Sequence, residues 1–168
     1  MKNLTKKTVK AAYRSIPRFL WKLDELNQLS DEAKLLYLFL LTHPDLTEVG
    51  TLWASKVELA SELGWSLAKW QTTLKDPWVQ QEVYCDEKAP LFWLPRVLKH
   101  RPPQSPAHAR LWWHALSRVP LCPLQQTLCA EIKRLLGKMP KNLHWYLSMR
   151  LRSFEARNPT TPSPTAGG

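Results

Sequence analysis

The sequence predicts a mostly α fold with one small β-hairpin, and three stretches of the 168-residue chain carry that reading. Residues 55–75, SKVELASELGWSLAKWQTTLK, read as two short helices joined by a tight turn at Gly64. Residues 78–94 hold two β-prone runs on either side of a charged tip, Asp86-Glu87-Lys88. Residues 106–157 hold three more segments with helical spacing of apolar residues.

The helix pair is the best-defined element. Ser55 and Ser66 are placed to cap its two helices, because a Ser hydroxyl accepts from the free amides of a first turn. Val57, Leu59, Ala60 and Leu63 form the apolar stripe expected of the first helix. Leu67, Trp70 and Leu74, spaced i, i+3 and i+7, form that of the second. With those three buried, Lys69, Gln71, Thr72, Thr73 and Lys75 point outward. A helix, a Gly turn and a helix with a polar outer face make the pattern whose second helix enters the major groove of DNA.

Before this pair, Ser30-Asp31-Glu32 opens a helix whose run AKLLYLFLLTH is apolar on nearly every face, as for a helix enclosed in a core. His43-Pro44 ends it, with His43 expected as a cap or surface residue. Gly50-Thr51-Leu52-Trp53 reads as a short strand. After Lys75, Asp76-Pro77 reads as a stop, followed by a hairpin from WVQQEVYCD and APLFWLP. Helix, strand, two helices and hairpin, in that order, spell a winged helix-turn-helix with a C-terminal helical extension.

The expected organisation is a basic flexible arm over 1–15, a winged-helix domain over 16–94, a basic helical extension over 95–157 and a disordered Pro/Ser/Thr/Gly-rich tail over 158–168. The extension begins with PRVLKHRPPQSP, whose prolines favour an extended strap. Helices follow from Pro106, with Leu111, Ala115, Leu116 and one of Trp112 and Trp113 inward, and from Pro123, with Leu124, Leu128, Ile132 and Leu135 inward. A last helix, 143–157, turns Leu143, Leu147, Leu151 and Phe154 to one face.

The net charge of +10 is unevenly placed. Residues 1–22 hold seven Lys/Arg and no acid, residues 23–91 five against twelve, and residues 92–168 twelve against two. Phosphate binding needs local positive charge, and here that charge flanks the helix pair. Lys69, Gln71, Thr72 and Thr73 are therefore the candidates for reading base edges. Lys75, Arg96, Lys99, Arg101 and Arg110 are the candidates for phosphates.

The five Gly form no phosphate-cradling loop, and the His and Cys residues have no metal-ligand spacing, so neither an enzyme nor a cofactor or metal is expected. The absence of an apolar signal region or membrane span, and three cysteines without pairing or metal spacing, point to a cytoplasmic protein with reduced thiols.

Residues 29–66, LSDEAKLLYLFLLTHPDLTEVGTLWASKVELASELGWS, resemble the N-terminal winged-helix domain of bacteriophage replication initiator and replisome-organiser proteins. The shared features are an L-S-x-x-A-K-L-L helix, a Leu-rich stretch, T-x-P, a Gly before a short strand and a helix ending L-G-W-S. The likeness extends over about residues 13–125, including 94–106 and Val119-Pro120-Leu121-Cys122. It implies binding of double-stranded DNA at a phage or mobile-element origin, with a replicative helicase or another host replication protein as partner. Those proteins often carry a second, partner-binding domain, whereas this chain has room only for a short helical extension. Transcription control, self-pairing as a homodimer, and inhibition of a host nucleic-acid enzyme with the acidic segment as DNA mimic stay open beside replication initiation.

Overall fold

The computed structural model describes Ile16 and residues 18–86, 89–100 and 102–157. The arm over 1–15, the hairpin tip at 87–88, Arg101 and the tail over 158–168 lie outside the described residues. A 3-10 turn, Arg18–Lys22, leads into α1 (Asp24–Asn27), α2 (Asp31–Thr42), β1 (Thr51–Trp53), α3 (Lys56–Glu62), α4 (Leu67–Leu74) and α5 (Pro77–Glu82). Then follow β2 (Tyr84–Cys85), β3 (Leu91–Trp93), α6 (Pro95–His100), α7 (Pro106–Leu116), α8 (Pro123–Leu136) and α9 (Lys141–Arg157). The fold is mostly α with a three-stranded antiparallel sheet of order β1-β3-β2.

Side-chain capping fixes many of the boundaries. Ser30 accepts from the Ala33 amide at the head of α2, and Ser66 from the Lys69 amide at the head of α4. Ser55 and Glu58 form a reciprocal capping box on α3. Gly64 ends α3 in a Schellman turn: its φ is +67°, the Gly64 amide donates to Ser61 O and the Trp65 amide to Ala60 O at 2.8 Å. His43 does cap the C-terminal end of α2 but is buried, its Nδ1 accepting from the Asp45 amide and its Nε2 3.0 Å from Glu62 Oε2.

Two of the expected extended stretches are helical. Asp76 does not merely stop α4: its carboxylate accepts from the Trp78 and Val79 amides, and Pro77 occupies the first helical position, where a missing N–H costs nothing. The run expected as the first hairpin strand is thus α5, and only Tyr84–Cys85 remains strand. Likewise Pro95 starts α6, so the basic strap at 95–100 is a helix with Val97 and Leu98 buried. Smaller corrections concern which faces are buried. Val57 is 61% and Leu111 55% exposed, Leu67 is exposed beside a fully buried Trp70, and Leu35 leaves α2 open on one side.

The sheet divides the core. Leu52, Phe92 and Leu94 pack with Leu36, Leu40, Leu59 and Trp70 on the side of α2–α5. Leu91 and Trp93 pack with Trp112, Leu128, Ile132 and Leu147 on the side of α7–α9. All three residues of β3 are buried because alternate side chains enter opposite layers. The Trp93 indole donates to Val49 O at 3.1 Å, and Gly50, at φ +79°, accepts from the Leu94 amide at 2.8 Å. A β-carbon at Gly50 would lie 2.4 Å from Leu94 O, so close backbone approach and backbone angle both require glycine. No helix among the described residues is long and apolar enough to cross a membrane.

Candidate nucleic-acid interface

α4 is held by its one fully buried side chain. The Trp70 ring stands edge-on to Phe39 and Phe92 at 6.4 and 6.2 Å, and the helix packs on α2, α3 and α5. At 100° per residue this turns Ala68, Gln71, Thr72 and Lys75 outward, all exposed.

The other two base-reading candidates are engaged within the protein. Lys69 Nζ lies 3.4 Å from Glu32 Oε1 and 4.7 Å above the Trp65 ring. The Glu32 carboxyl is held below its usual range, first by its own amide in the first turn of α2 and then by Lys69. The Thr73 hydroxyl donates to the Lys69 carbonyl at 2.9 Å.

Two grooves border this face. One, of ≈ 570 Å³, lies between α4 and the start of α2 and includes Lys69, Thr72 and Lys75, but also Glu32 and Asp76. The other, of ≈ 640 Å³, runs from α4 to β2 and is lined by Lys56, Gln71, Lys75, Gln80, Tyr84 and Cys85 among others, with no carboxylate among the described residues that line it. Lys75 borders both grooves. Lys56 and Tyr84 were not singled out by the sequence; Lys56 joins the site because it opens α3 beside α4.

The phosphate candidates outside α4 are not gathered at this face. Arg96 makes a bidentate pair with Glu82: its Nε donates to Oε2 at 2.7 Å, its Nη2 bonds Oε1, and both side chains are largely buried. Its guanidinium also lies 5.9 Å from the Trp78 ring centroid, so this cation is committed to linking α6 with α5. Lys99 is exposed in the last turn of α6. Arg110 is exposed on α7, in the layer behind the sheet. Arg101 lies outside the described residues.

Several carboxylates of the acidic segment are engaged within the protein. Glu32 pairs with Lys69, Glu48 with His108, Glu62 with His43 and Glu82 with Arg96. Glu58 and Asp76 cap helices. Chemistry at the cysteines is damped by burial, which pushes the Cys129 thiol to about 11 and raises Cys122. Among the described residues, no three His, Cys, Asp or Glu side chains gather as metal ligands. Comparison with known protein families, curated proteins and solved structures finds no match.

Proposed function

We propose that this chain is a winged-helix protein that binds double-stranded DNA with α4, and acts in replication initiation or transcription control of a phage or mobile element. The observation that carries this is the groove between α4 and β2, whose described lining includes Lys56, Gln71 and Lys75 and no carboxylate. Antiparallel sheet order β1-β3-β2, with α3 and α4 between β1 and β2, is compatible with a winged helix. The outward face of Gln71 and Thr72 suits base edges: an amide pairs with adenine and a Thr methyl contacts thymine. Lys56 and Lys75 suit the flanking phosphates. The resemblance of residues 29–66 to phage replication initiators supplies the process, with a replicative helicase as partner.

Fluorescence anisotropy with labelled duplexes from the intergenic DNA beside the coding region, titrated with salt, tests this. Lys56→Ala and Lys75→Ala should each weaken binding to all sequences and lower the salt slope by about 1. Gln71→Ala with Thr72→Ala should lose about 1–3 kcal/mol of sequence preference and keep non-selective binding. Arg96→Ala should lower stability and leave the slope unchanged. Parallel loss of selective and non-selective binding in the Gln71/Thr72 variant removes the base-reading role; absence of salt-sensitive duplex binding removes the whole reading.

A further inference from the structure

The last helix presents a face that the DNA reading does not use. Leu143, Leu147 and Leu151 of α9 are buried against α7 and α8, and Phe154 packs edge-on to Trp113 at 5.7 Å. On the opposite side Trp145 is 65% and Met149 45% exposed, one helical turn apart. Lys141, one turn before Trp145, and Arg152, seven residues after it, lie on that same side and are exposed, with exposed His144 at its flank. The sole acid of α9, Glu155, is turned to α8, where it meets Lys133 at 2.6 Å. Arg150 is stacked between the Trp113 and Tyr146 rings, at 5.8 and 5.6 Å, which fixes the α7 edge of the surface.

We propose that this face of α9 docks an acidic amphipathic segment of a protein partner, with Trp145 and Met149 as apolar anchors and Lys141, His144 and Arg152 as the rim that selects carboxylates. Exposed Trp with a cationic border is the composition of an interface centre, and Met adapts to varied apolar partners. Charge argues for the sign of the partner: the face has no acid of its own pointing outward, so a basic partner is repelled. It also argues against the ends of this chain as occupants. Residues 1–15 carry five Lys/Arg and no acid, and residues 158–168 carry neither acid nor large apolar side chain. Met149 favours a protein over single-stranded nucleic acid, whose bases stack on aromatic rings and gain nothing specific from a thioether.

The probe is a labelled 18-residue helical peptide with a Leu/Phe stripe and Glu elsewhere, read by anisotropy against the full chain. A Lys-for-Glu analogue and a twelve-nucleotide oligothymidine serve as comparators. Saturable binding of the Glu peptide alone is expected, falling at least tenfold in Trp145→Ala with Met149→Ala, and again in Lys141→Glu with Arg152→Glu. Far-UV circular dichroism should be unchanged, since all four side chains are exposed. Duplex binding should also be unchanged, while Lys56→Ala with Lys75→Ala should keep the peptide; this separates failure here from failure of the DNA reading. Equal binding of the Lys peptide, Trp145-dependent binding of oligothymidine in place of peptide, or concentration-dependent self-association lost in Trp145→Ala each overturns the proposal.

Discussion

The layer in front of the sheet and the layer behind it handle charge differently. Residues 23–91 carry twelve of the fourteen acids, and many of these serve the fold: Glu58 and Asp76 cap helices, while Glu32 and Glu82 hold Lys69 and Arg96. Residues 106–157 carry nine Lys/Arg and two acids, and both acids form ion pairs, with Arg134 and Lys133. That layer is held by apolar packing of Trp112, Leu128, Ile132 and Leu147, and Arg110, Arg118, Lys141 and Arg152 stay exposed. Among the described residues of 23–91, Lys56 and Lys75 are the cations outside ion pairs, whereas behind the sheet such cations are the majority.

The comparison breaks most directly at its two tryptophans. Trp70→Ala in front and Trp112→Ala behind each remove a fully buried ring and should cost about 3–5 kcal/mol. Since β3 belongs to both cores, each variant should lower the midpoint of one common thermal transition, followed by near- and far-UV circular dichroism. A step in Trp70→Ala that keeps the original midpoint would show that the layer behind stands alone.

The glycines sharpen the point. Gly64→Ala, where a β-carbon meets nothing within 4 Å, should cost about 1–2 kcal/mol from backbone angle alone. Gly50→Ala adds a contact with Leu94 O across the seam between β1 and α6, and should cost more. Urea midpoints of the two variants check this; equal losses would mean that the seam yields.

Much of the front layer was legible because capping and periodicity are local. Ser30, Ser55, Ser66 and Gly64 mark helix ends within a few residues of sequence, and the apolar faces of α8 and α9 follow from spacing. α5 and α6 were not legible because each is only six residues long, too short for a helical period to show, so that Pro77 and Pro95 read as breakers, whereas the longer α7 and α8 were legible although each also begins with a proline. Within the candidate site, the outward turn of Gln71 and Thr72 followed from α4. Withdrawal of Lys69 and Arg96 into ion pairs depended on Glu32 and Glu82, partners that only tertiary structure brings near.

The smallest effect expected is with pH. The carboxyls of Glu32 and Glu58 in front, and Glu131 behind, lie below their ordinary value of 4.5 when folded, through hydrogen bonds to helix-start amides and, for Glu131, to Arg134. Their contribution is complete above about 4.5 and fades as pH falls through the lower folded values. His100, desolvated and beside Arg96, is likewise lowered from 6.5, so stability should already decline as pH drops below that value. Urea midpoints at three pH values should fall steadily toward acid, and His100→Gln should remove only the part between neutral and mildly acidic pH. A midpoint that rises on acidification would contradict these assignments.

The placement of β3 has a consequence for the newborn chain. β1 pairs with a strand about forty residues further on, Thr51 opposite Trp93, and that strand is also the floor of the layer made last. While a ribosome is still extending the chain through α5, the helices of the first layer have no sheet to close against, and Leu52 has no Phe92 beside it. Synthesis at about 5–20 residues per second makes this interval a matter of seconds. Throughout that time the dense self-capping of α2, α3, α4 and α5 gives each helix a local means of forming ahead of the strand that will join them.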